Sequence, residues 1–316
     1  MSLIREKQLH TGKIDINYAE GPDNGPALIL IPGQSADWTN YEKVLPQLST
    51  KFQVFAVDVR GHGKSSWTTG NYTFDTIGSD MITFLENVVK RKAFISGNSS
   101  GGLIALWLAA NRPELVAGII MEDPPLFSAE WPRIKEDSYV YRVFEITVEL
   151  DKVLKESRSI RELARTLKKI KTPVEGGKMK GIPSAAAYFV SLLIRVSQRR
   201  NSSKPSLPGR LNRILVALTS FDTDFSKAFL DGRIYEGLDH ADALTRAQCP
   251  MLLLHANWLR HPEFGLVGAM DDSDAERAQL LAPEMLFKRI DSPHVIHSYK
   301  PDVFVKEIEE FVSHRS

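Results

Sequence analysis

Cysteine is almost absent: Cys249 is the single one in 316 residues. One thiol excludes an intramolecular disulfide and any cysteine-cluster metal site, and it fits a reducing compartment. Long apolar runs are missing as well. No stretch reaches the roughly 18 apolar residues of a membrane span, and residues 1–10 are charged and lack the apolar core of a signal peptide. The expected location is the cytoplasm, with no membrane partner. An excess of charge is absent too, 40 basic against 39 acidic residues leaving a net +1. That balance provides no basic face for nucleic acid or an anionic membrane. No internal repeat or low-complexity segment is visible, and nothing calls for a metal or another cofactor.

What the chain does contain is a Gly97-Asn98-Ser99-Ser100-Gly101-Gly102 stretch of the form G-x-S-x-G. It joins a short apolar run at 93–96 to an alanine- and leucine-rich segment at 103–111 that reads as a helix. In the strand-to-helix turn called a nucleophile elbow, a serine sits strained on a tight bend, and small neighbours are required because the strand and helix backbones pass close together. The hydroxyl then stands at a helix N-terminus, where free N–H groups and the helix dipole favour developing negative charge. Ser99 is the candidate nucleophile. A glycine-rich loop without chemistry has the same five-residue pattern, so the rest of the chain has to decide.

Residues 13–19 alternate apolar and polar side chains, 21–26 are dense in turn formers, and 27–31 are continuously apolar, which reads as an edge hairpin leading to a buried strand. A short helix is expected at 41–48, a buried strand at 52–57, a helix at 76–89 and a strand at 116–121. Alternation of this kind implies a parallel sheet covered on both faces. Between 124 and 248 no strand stands out and helical segments follow one another at 139–154, 160–171, 185–196 and 211–218, with a shorter pair up to 247. This is the pattern of a helical cap inserted into an α/β core formed by 1–123 and 249–316. The basic stretch 195–204 reads as a solvated loop. Strands at 251–255 and 285–290 and helices at 274–281 and 302–313 complete the chain.

The residues with chemical potential keep a telling order: Pro32-Gly33-Gln34 after the third strand, residues 58–65 after the fourth, Ser99, Asp123 after the sixth, and Asp291-Ser292-Pro293-His294 after the last. In these positions the chain resembles the α/β-hydrolase superfamily along nearly its whole length. The resemblance implies a mostly parallel eight-stranded sheet flanked by helices, with a helical cap. Within the superfamily it is most similar to bacterial esterases and lactonases, a group that includes zearalenone lactonases. By this likeness His294 is the catalytic histidine, His62 belongs to a structural turn, and His297 faces elsewhere. The acid lies after the sixth strand, at Asp123 or alternatively Glu122, because Asn257 stands where relatives commonly carry a carboxylate after the seventh. Asp271, Asp272 and Asp274 fit a helix N-cap and first turn. Main-chain N–H groups of Gln34 and Ser100 form the implied oxyanion hole, although Pro32 replaces a histidine common in relatives.

These expectations describe a cofactor-free serine hydrolase acting on an apolar carboxylic ester or lactone through an acyl-enzyme. Carbon–carbon bond hydrolases and perhydrolases use the same triad, and a small-molecule receptor could be built on the same fold. Gly33, Trp38, Phe127, Trp131 and Trp258 follow strand ends, where open α/β sheets bind ligands, and read equally well as pocket or core residues.

Overall fold

A run such as Ala27–Ile31, buried at every position, needs apolar cover on both faces, and the protein supplies it. The computed structural model describes residues 4–173, 178–200 and 220–313. Its main sheet contains β1 (Arg5–His10), β2 (Asp15–Glu20), β3 (Ala27–Ile31), β4 (Gln53–Val57), β5 (Ala93–Asn98), β6 (Val116–Glu122), β7 (Met251–His255) and β8 (Leu286–Arg289). The spatial order is β1-β2-β4-β3-β5-β6-β7-β8. From β4 to β8 every pairing is parallel, whereas β1–β2 and β2–β4 are antiparallel. The edge hairpin is therefore β1 with β2. The first strand escaped sequence reading because an edge strand that is almost wholly exposed has no buried face to reveal it.

Side chains on β3 split between two cores with a period of two: Ala27, Ile29 and Ile31 join one apolar cluster, Leu28 and Leu30 the other. The first cluster includes α1 (Phe74–Phe84) and α2 (Ser100–Asn111), and the second includes the C-terminal helix Pro301–Ser313. Helix α2 is buried from Ser100 to Ala110. An all-apolar helix of this kind needs a fully internal place. The strand order reverses direction between β3 and β5, so a crevice opens beyond their C-terminal ends, where ligands bind in open sheets.

The described residues of the stretch 124–248 are mainly helical, with α3 (Tyr139–Glu156), α4 (Ile160–Leu167), α5 (Ser184–Arg200), α6 (Asp224–Asp231) and α7 (His240–Arg246). The stretch also holds a small antiparallel hairpin, Lys171–Pro173 with Met179–Gly181, where no strand stood out in the sequence. Two packing regimes coexist in this stretch. Leu150, Val153, Leu163, Leu167, Val190 and Ile194 form a cluster of their own, whereas Phe221, Phe225, Phe229 and Leu244 join the first of the two sheet cores. The helix expected at 211–218 lies outside the described residues, and the basic stretch 195–204 is described as far as residue 200. After β7 a second unforeseen hairpin, Leu259–His261 with Gly265–Val267, precedes α8 (Asp272–Leu281).

Candidate active site

At the end of β5 the chain turns directly into α2, and Ser99 occupies the turn with φ 53° and ψ −121°. A side-chain-bearing residue with positive φ is strained, and the surrounding packing must hold it there. A Cβ on Gly97 would stand 2.1 Å from the Gly101 carbonyl oxygen, and one on Gly101 would stand 2.2 Å from that of Ile31. Only glycine fits either position. The Ser99 N–H donates to the Glu122 carbonyl at 2.9 Å, tying the elbow to the end of β6.

Strand β6 ends in two carboxylates that part company. Asp123, with φ 44°, turns its side chain toward the loop after β8, where Oδ2 pairs with His294 Nδ1 at 2.7 Å. Its other oxygen accepts the Ala256 N–H at 3.1 Å. Asp123 is 1% exposed and His294 40%, so the pair has a buried anchor and an accessible ring. Loss of water around the ring opposes a charge on His294, but the hydrogen bond and charge of Asp123, with the charge of Glu122 behind them, hold its pKa above the ordinary 6.5. Asn98 links this loop to the elbow, its amide donating to the carbonyls of both His294 and Glu122 at 3.3 Å.

Glu122 goes to a different histidine. Its carboxylate accepts the His297 N–H at 2.8 Å and the Nδ1 of the same residue at 2.7 Å. Of the two acids left open after the sixth strand, Asp123 is the one that meets His294.

The Pro32-Gly33-Gln34 loop closes the other side. A Cβ on Gly33 would lie 3.1 Å from the Cβ of Ser99, so the loop after β3 runs against the elbow. Gln34 Nε2 donates to Ser226 Oγ at 2.6 Å. The Ser100 N–H begins α2, within the first turn whose N–H groups have no intrahelical acceptor.

Residues 26–169 match the family model described as alpha/beta hydrolase fold. The chain has the α/β-hydrolase fold. Among its relatives, 3-oxoadipate enol-lactonase 2 of Acinetobacter baylyi is 33% identical over 109 residues, covering 34% of this chain and 41% of that protein. The chain thus spans about two fifths of the length of the curated lactonases it matches. Solved structures agree over the whole fold: a thermophilic esterase from Thermogutta terrifontis superposes with TM-score 0.66 at 19% identity, covering 98% of this chain and 99% of that one. The enol-lactonase from Burkholderia xenovorans gives TM-score 0.63 at 16% identity, covering 97% and 100%.

In this α/β-hydrolase-fold chain a cavity of about 740 Å³ extends from Gln34 and Ser35 into the helical stretch. Apolar side chains of Val143, Phe144, Ile146, Leu150, Ile170 and Phe221 form much of its wall. Three basic residues, Arg142, Lys169 and Lys171, face three acidic ones, Glu145, Glu149 and Glu263. Lys169 pairs with Glu149 at 2.6 Å and Lys171 with Glu263 at 3.4 Å, which leaves the cavity without net charge.

The aromatic residues singled out from the sequence stand elsewhere. Trp38 donates its indole N–H to Glu6 and Trp258 to Asp272. Trp131 packs near Tyr141, 43% exposed, and Phe127 is fully buried under Arg277. The cavity wall comes instead from α3 and the segment after α4. Their signal lay in the apolar face of the 139–154 helix, which alone could not say whether it met core or void. Asn257 bonds to Asp291, and Asp271 caps α8 in a reciprocal box with Asp274. Both aspartates also hold Arg133 of the inserted stretch. His62 is buried between Phe221 and Phe225, and the loss of water lowers its pKa to about 4, so the ring is neutral.

Among the described residues no helix is long and apolar enough to cross a membrane.

Proposed function

We propose that the protein is a serine hydrolase that cleaves a carboxylic ester or lactone through an acyl-enzyme. The observation that carries this reading is the 2.7 Å Asp123–His294 pair, set beside an elbow whose Ser99 is forced to positive φ. Ser99 Oγ attacks the carbonyl carbon while His294 Nε2 takes its proton. Asp123, bonded to Nδ1, fixes the tautomer and stabilises the imidazolium. The alkoxide leaves with that proton, or in a lactone stays tethered as a hydroxyl. Water then attacks the acyl-enzyme with His294 again acting as base, releasing the acid and restoring Ser99. Main-chain N–H groups of Ser100 and Gln34 receive the oxyanion, whose charge is stabilised far better by fixed dipoles than by mobile water.

The substrate side of the proposal follows from the cavity. A large, mainly apolar and charge-balanced space adjoining the oxyanion loop favours an extended neutral acyl or lactone body over a small dicarboxylate. The 124–248 stretch serves as the cap that encloses it.

A fluorophosphonate probe, followed by a panel of aryl esters, macrolactones and vinylogous diketones, tests both parts. Labelling at Ser99 and turnover of neutral apolar esters or lactones are expected. Retained ligand binding without labelling would replace the enzyme by a receptor, and turnover of the diketones alone would replace ester chemistry by carbon–carbon cleavage.

A further inference from the structure

The acyl-transfer scheme leaves a second carboxylate–imidazole pair unused. Glu122 and His297 are both 0% exposed. Burying a carboxylate is costly, and apolar residues of equal volume would fill a core as well or better, so packing alone does not account for the pair.

Its connections reach every part of the site. The Glu122 carbonyl holds the Ser99 N–H and the Asn98 amide, and its carboxylate holds His297. His297 lies in a short helix, Ile296–Tyr299, that starts two residues after His294. The far nitrogen of His297 bonds Asn40, in the Trp38–Tyr41 turn that follows the oxyanion loop. Beside it, Tyr41 packs its ring 4.2 Å from that of His297 and donates to the Ile31 carbonyl at 3.0 Å, where β3 gives way to Pro32 and Gly33. The elbow, the histidine loop and the oxyanion loop therefore meet in one buried network.

We propose that Glu122, His297 and Asn40 form a positioning device for His294 and Ser99, holding the three loops in register while the negative charge of Glu122 stabilises the imidazolium on His294. The proposal rests on the acyl-transfer reading of Ser99 and His294. Two carboxylates act on His294, both from the end of β6: Asp123 directly and Glu122 from behind. Around Glu122 stand His297 from the short helix, Asn40 and Tyr41 from the turn, and Asn98 from the elbow.

The test uses the full chain. Glu122→Gln keeps size and an acceptor for the His297 N–H but removes the charge. The NMR titration of His294, assigned by its loss in His294→Gln, should move to lower pH by about half a unit or more, and the acid limb of fluorophosphonate labelling should follow. His297→Asn keeps a donor for Glu122 and gives up Asn40. Its maximal labelling rate should fall about tenfold while the half-saturating probe concentration stays within about twofold, the signature of lost alignment rather than lost binding. An unmoved His294 titration in folded Glu122→Gln overturns the proposal. If Glu122→Gln does not fold, a parent-like labelling rate in His297→Asn overturns it. A parent protein that the probe never labels overturns the acyl-transfer reading instead, and the titration still decides the effect of the Glu122 charge.

Discussion

Asp123–His294 and Glu122–His297 leave the same strand end one residue apart, join the same kinds of group at the same 2.7 Å, and differ in what surrounds them. His294 is 40% exposed beside the elbow, whereas His297 is sealed. Alternation along an extended chain sends consecutive side chains to opposite faces, and at Asp123 the backbone also bends, with positive φ, where its carboxylate meets His294. The difference teaches that a carboxylate–imidazole pair becomes a base for catalysis only where its far nitrogen can reach a reacting proton. Where it cannot, the same chemistry serves to hold the fold.

The largest effect should come from removing the group that only the accessible pair can serve. Ser99→Ala should abolish fluorophosphonate labelling and lower turnover by about a million-fold, as loss of the nucleophile does in serine hydrolases. His294→Ala should likewise remove the reaction. Full turnover in either variant would erase the functional contrast between the pairs.

Next comes the acid. Asp123→Asn should lower turnover by about 10²-fold or more with thermal stability little changed, because the histidine loses the group that fixes its tautomer. Glu122→Gln should lose less than about tenfold at its own optimum, since its charge acts on His294 from behind. Turnover measured on both would invert the comparison if Glu122→Gln were the crippled variant.

The sealed pair should appear in stability. His297→Ala leaves Glu122 buried without its partner, a change that costs about 3–5 kcal/mol, and denaturant unfolding should register it. An unfolding midpoint equal to the parent's would mean that the Glu122 charge finds water without His297.

A smaller effect concerns pH. In the proposed reaction His294 must be neutral to accept the serine proton, and its pKa is raised, so the protonated form persists to higher pH than for an ordinary histidine. Activity should therefore fall on acidification with a midpoint above 6.5. A midpoint below that value would show that desolvation outweighs the two carboxylates.

The smallest effects belong to acids outside both pairs. Asp271→Asn, Asp272→Asn and Asp274→Asn should each stay within about tenfold of parent turnover, since their contacts are a helix cap and ion pairs to Arg133 and Arg289 rather than to His294. Loss of turnover confined to one of them would move the triad acid to the region after β7.

By itself the sequence determined the alternation of strand and helix, the elbow at Ser99, the order of Gln34, Ser99, Asp123 and His294, and the N-cap role of Asp271. These are local properties, set by hydrophobic period, by glycine where two backbones nearly touch, and by capping side chains. Tertiary structure alone decided which of Asp123 and Glu122 meets His294, because the answer depends on a backbone bend at Asp123 and on loops 171 residues apart in the chain. It also decided which residues line the cavity. An apolar helix face looks the same in sequence whether it covers a core or a void, and only the fold, which sets α3, Gln34 and Phe221 around one cavity, separates the two. The exposed edge strand β1 went unread for the converse reason: it buries too little to leave a pattern.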